Sequence, residues 1–109
     1  MGWLLRDGEV LASLEVAEDR RARARGLLGR DALEGALLLD RTRSVHTFGM
    51  RFPIDVAVCD DDLVVLRARH LRPGRVTLPV RHGRRVIEAE AGAFARWGLV
   101  AGDQLEVRP

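Results

Sequence analysis

The sequence predicts a mainly β domain, a small antiparallel β-barrel or sandwich carrying one or two short helices. Short apolar runs recur at intervals of about ten residues, separated by the Gly, Asp and Pro residues that favour turns. Only two stretches read as helices, and both are short. With 109 residues, the chain suits a single domain over residues 1–109 with one modest core.

The first two runs, WLLR and EVLASLEV, flank Asp7 and Gly8, a dipeptide suited to the positive φ angles of a type I′ hairpin. Period two puts Val10, Ala12, Leu14 and Val16 together on a core face. From residue 18 to 28 the pattern becomes EDRRARARGLL, with acids ahead of arginines, the polarity a helix dipole favours. Gly26 or Gly29 ends that helix, and GALLLD reads as a buried strand over about 36–39. In the next segment Ser44, His46 and Phe48 share one side of an extended stretch, Gly49 breaks it, and Pro53 removes a ladder donor. A second strand starts at Ile54, with Ile54, Val56 and Val58 facing away from Asp55, Ala57 and Cys59. Asp60, Asp61 and Asp62 turn the chain into LVVLRARHL, and Pro73, Gly74 and Pro79 mark an irregular loop. RRVIEAEA is another strand. AGAFARWG is a short helix with Phe94 and Trp97 on one face and Gly98 as its cap, and GDQLEV closes the sheet.

Composition excludes several kinds of chemistry. All 18 Lys and Arg positions are arginine, which removes Schiff-base and Walker-type lysines. The single cysteine, Cys59, allows no intramolecular disulfide and no CxxC zinc site, and the three histidines lack HxH or HxxxH spacing. Neither a metal nor a cofactor is expected. Apolar residues at 47% and charged residues at 31% make a soluble globular mixture, with no run near the ~18 residues of a membrane span. The opening residues have no basic stretch followed by a sustained apolar one, so the expected setting is cytoplasmic.

Three blocks in order, RARGLLGRDALEGALLL, HTFGMRFPIDVAV and VIEAEAGAFARWGLVAGD, resemble the domain of unknown function family 192 across roughly residues 9–107. The family's pattern resembles Arg23, Gly26, Leu27, Arg30 and Leu33 in the first block and Pro53 and Asp55 in the second. In the third it resembles Glu88, Gly92, Gly102 and Asp103. The resemblance implies a compact β-barrel or sandwich whose biochemical activity is not established. Many members carry a Trp-Met-Lys-Asn-Thr run before the proline, where this chain has His46, Thr47, Phe48, Gly49 and Met50. Many also carry an export or lipoprotein signal, so localisation is not carried over from them.

The candidate ligand-binding residues are His46, Thr47, Met50, Arg51 and Asp55, because irregular backbone between two strands can aim polar groups into one cleft. There Arg51 would hold an anionic group while His46 or Asp55 moves a proton. The alternative gives Asp55 an arginine partner or backbone N–H donors from the bend, and leaves His46 filling a half-buried site. Arg23, Arg30, Glu88 and Asp103 are structural polar candidates. Glu88 shares a strand face with Val86 and points inward, where one of Arg23, Arg25 or Arg30 would pair with it. Cys59 precedes three aspartates, which disfavour its thiolate.

Seven arginines, Arg67, Arg69, Arg72, Arg75, Arg81, Arg84 and Arg85, fall between Leu63 and Ile87 with no acid among them. The few aromatics sit mostly in apolar contexts, which favours a solvated basic face over a nucleic-acid platform. With no complete catalytic set, the leading expectation is a ligand-binding or accessory module for a small molecule or protein partner, with its site at residues 46–55. The alternatives are an acid/base enzyme using Asp55 or Glu88 with His46 on an anionic or sugar-like substrate, and a nucleic-acid or polyanion binder through the segment 67–85.

Overall fold

The computed structural model describes residues 2–17 and 19–109, the side chains of Arg20, Arg23 and Ala24 excepted. Its strands are β1 (Gly2–Arg6), β2 (Glu9–Ala17), β3 (Ala36–Asp40), β4 (Ile54–Cys59), β5 (Val65–Leu71), β6 (Arg85–Glu90) and β7 (Glu106–Arg108). Two short helices, α1 (Arg20–Arg25) and α2 (Ala93–Trp97), complete the described elements. The strands form one sheet in the order β5-β4-β6-β3-β2-β1-β7. Only β2 and β3 pair in parallel; the remaining neighbours are antiparallel.

The mainly β prediction holds, with one refinement of the architecture. The sheet is not a closed barrel, yet its two ends approach each other. Val65 donates its N–H to the Asp103 carbonyl at 2.8 Å, Gly102 to the Val65 carbonyl at 2.7 Å and Leu105 to the Leu63 carbonyl at 3.0 Å. The start of β5 is thereby stitched to the segment that leads into β7.

Local chemistry sets most elements. Asp7 and Gly8 adopt φ of 53° and 78°, as the β1–β2 hairpin requires. The regular alternation expected along β2 fails, because a bulge sets Leu4 opposite Ala12 and Leu5 opposite Val10. The extra residue moves Val10 off the core face, and both Val10 and Val16 are exposed while Leu14 and Ala17 are buried. In α1 the Asp19 side chain caps Ala22 N–H at 2.7 Å, and Gly26 at φ 49° ends the helix. Glu18, placed in this helix by the sequence pattern, lies outside the described residues.

The central strands β3, β4 and β6 are buried on both faces. On one face Leu38, Ala57, Cys59, Ile87 and Ala89 pack with Phe94 of α2, Leu99 and Leu105. On the other Leu37, Leu39, Ile54, Val56, Val58 and Val86 pack with Leu27, Leu33 and Met50. The expected two faces of β4 are therefore observed. Among the described residues no helix is long and apolar enough to cross a membrane.

Candidate functional site

Strand alternation places one carboxyl group in the second of these cores. On β6, Glu88 lies opposite Leu37 of β3 and Val56 of β4, on the face shared with Val86. It is 3% exposed. Burial pushes its carboxyl up to about 7, and the charge of Arg30 only partly opposes that rise. Among the described residues Glu88 belongs to no ion pair, and no side-chain hydrogen bond contributes to its shift.

Glu88 lines a cleft of about 200 Å³ whose walls come from two loops. Beyond Gly26 the chain turns so that Leu27 and Leu28 form one wall, with Met50 nearby and Arg25 beside the glycine. Thr42, Ser44 and His46 line the cleft from the opposite loop. Arg30 itself forks onto Glu15 at 3.2 and 2.5 Å, which holds the Glu15 carboxyl below its ordinary value. Its partner is thus Glu15 rather than Glu88. The Arg23 side chain lies outside the described residues, so the structure says nothing of its pairing.

The five residues predicted at the bend do not converge. His46 and Met50 line the Glu88 cleft, but Met50 is a buried core residue. Thr47 is wholly buried and acts as a clamp. Its hydroxyl donates to the Arg72 carbonyl at 2.7 Å and accepts from Arg75 N–H at 2.9 Å, while its backbone N–H reaches the Arg75 carbonyl at 2.7 Å. Arg51 points outward to Asp31 at 2.7 Å, an exposed pair. Asp55 faces the other side of the sheet from Glu88, because β4 resumes its alternation directly after Pro53.

Asp55 is 4% exposed and fully engaged. One oxygen accepts the backbone N–H groups of Gly92 and Phe94, each at 3.1 Å, and the other sits 3.0 Å from His70 Nδ1. These donors come from the start of α2 and the neighbouring strand, not from the bend. Asp103 is tied to Arg6 and to Val100 N–H, both at 3.0 Å. Sequence reasoning missed Glu15, Asp31 and His70 as partners. For His70 the signal was the β4–β5 hairpin register, which a bulge beside Cys59 conceals. Burial, and then Asp60, push the Cys59 thiol up to about 12. Among the described residues no group of three or more His, Cys, Asp and Glu side chains is placed to hold a metal ion.

The pattern of the DUF192 family, described as an uncharacterized ACR, matches residues 3–107. The chain belongs to the DUF192 family. Two crystal structures share the fold of this DUF192 domain. One is a protein from Sinorhizobium meliloti 1021 provisionally described as a transcription regulator, 24% identical, with TM-score 0.80 over 97% of this chain and 91% of that one. The other is a protein of unknown function from Novosphingobium aromaticivorans DSM 12444, 23% identical, with TM-score 0.81 over 96% of this chain and 82% of that one. No curated protein matches the chain significantly.

Proposed function

We propose that this DUF192 domain is a binding module for a small polar ligand that presents a hydrogen-bond donor to Glu88. The carrying observation is a carboxyl 3% exposed, at the floor of a cleft, with no ion-pair partner among the described residues. Taking a carboxyl out of water is costly, and a ligand N–H or O–H offsets that cost. Leu27, Leu28 and Met50 supply the apolar walls, while Thr42, Ser44 and His46 can fix orientation. At about 200 Å³ the cleft is smaller than the roughly 300–1,000 Å³ of drug-sized sites, which favours a compact metabolite.

A second reading is acid/base catalysis, favoured by the Glu88 carboxyl near 7 and by His46 lining the same cleft. Asp55, on the opposite face, takes no part in it. The proposed setting is the cytoplasm, a reading with which the buried free thiol of Cys59 is compatible.

The test is an NMR screen of small amines, polyols and amino acids against the labelled protein, repeated with Glu88→Ala. Hits should shift the amides of Gly26, His46 and Glu88 and vanish in the folded variant. Hits that map elsewhere, or that survive Glu88→Ala, would sink the reading. Turnover of a hit, with a pH profile breaking near 7, would select the catalytic version.

A further inference from the structure

The geometry points to a second site, on the outer surface of the bend, that binds single-stranded nucleic acid by base stacking and phosphate contacts. Residues 43–48 and 75–80 run side by side as an irregular ribbon, joined by the His46–Val76 bridge and by hydrogen bonds between Val45 and Thr77. On its outward side the His46 and Phe48 rings stack, with centroids 5.4 Å apart and planes inclined by 25°. Phe48 is 55% exposed, so one aromatic face is open to solvent instead of buried in a core. That departs from the apolar context expected for the aromatics.

Val76 and Leu78, both exposed, lie across the ribbon from this pair, and arginines stand at its two ends. Arg72 and Arg75 belong to the turn that Thr47 clamps, and Thr47 stands between His46 and Phe48 in the chain. Gly74 N–H adds a further bond to the Thr47 carbonyl at 2.9 Å. At the other end of the ribbon Arg43 accepts Val80 N–H through its carbonyl, and Arg81 follows. All four arginines are exposed, and among the described residues none has an ion-pair partner. The acids of the β4–β5 turn, Asp60 to Asp62, lie beyond the far end of β5 from the 72–75 turn.

An open aromatic pair on a ribbon that carries exposed arginines at both ends can take a base on the ring and phosphates on the cations. A duplex fits poorly, because its stacked bases offer no free face to Phe48. The described helices, six and five residues long, are also too short to read a major groove. An acidic protein could use the charges but would leave the exposed ring without a stacking partner. This site is independent of the Glu88 ligand, although His46 borders both.

The experiment is fluorescence anisotropy with labelled oligo-dT and oligo-U of about 12 nucleotides, titrated at several salt concentrations, with the matching duplex and heparin as competitors. Wild-type protein should bind the single strands in preference to either competitor. Phe48→Ala, at an exposed position, should keep the melting temperature and weaken binding about tenfold. Arg72→Ala and Arg75→Ala leave the Thr47 clamp intact, because it uses their backbone atoms. Each should lower the slope of log affinity against log salt by about 0.7. Arg96→Ala and Arg108→Ala, on ion-paired arginines outside the ribbon, should change nothing. No binding at low salt, equal competition by heparin, or undiminished binding by Phe48→Ala would each overturn the proposal, the last two by reducing it to a generic polyanion surface.

Discussion

At Glu88 the protein holds a proton that the unfolded chain gives up. The folded carboxyl titrates at about 7 against an ordinary 4.5, so between those values the folded state binds more protons than the unfolded one. Below the lower value both states are protonated and there is no penalty. As pH rises through the window the unfolded chain gives up this proton while the folded one keeps it, and stability falls by roughly 3 kcal/mol in all. Glu88→Gln removes that titration. Urea unfolding at pH 5 and pH 8 should show the variant gaining stability over wild type at the higher pH, by a margin approaching that figure. An equal difference at both pH values would mean that Glu88 is ionised throughout. Asp55 has the opposite character, since its acceptor capacity is already spent on Gly92, Phe94 and His70. Asp55→Ala orphans two N–H groups at the start of α2 and should cost about 2–4 kcal/mol in urea unfolding. His70→Ala, at a half-exposed position, should cost less than about 1 kcal/mol. If the two losses were equal, the histidine contact rather than the helix cap would be what Asp55 contributes.

Among the elements, the turn of residues 72–75 is clamped by one side chain, that of Thr47. Thr47→Val keeps the shape but leaves the Arg75 N–H without its acceptor. Exchange of the Arg75 amide with deuterium should accelerate by about 10- to 100-fold while β4 and β6 keep their protection. Unchanged exchange would show that the backbone bonds alone hold the turn. The elements themselves were largely legible, because Asp7-Gly8, the ALLL run and the alternation of IDVAVC each carry a local physical signal. Less was legible of the site. Period two places Glu88 inward correctly, but nothing local says that Arg30 pairs with Glu15 across the start of β3, or that Asp55 caps a helix more than thirty residues away. Such partners depend on strand order, and β2 meets β3 in parallel only after the chain has passed through α1. The pattern of residues 43–48 predicts a strand ending in a bend. Its residues pair outside the sheet instead, and this turns Phe48 outward.

For the whole molecule the seam between residues 63–65 and 102–105 joins what would otherwise be two separated ends of one sheet. Asp103 anchors it, through Arg6 Nη1 and Val100 N–H, while Arg6 also donates to the Trp97 carbonyl. Asp103→Ala should therefore cost roughly 1.5–3 kcal/mol and speed amide exchange at Val65 and Leu105 together. Exchange that rises at Val100 alone would confine Asp103 to its own turn. Beyond the seam, β7 has only three residues, yet it covers the outer edge of β1 from Trp3 to Leu5. Detaching so short a strand requires far less than unfolding the domain, and it bares a row of backbone donors and acceptors beside Leu4 and Leu5. The segment that best fits that row is the corresponding one on another molecule. Exchange of β7 between two chains is the form of self-association that this edge would permit.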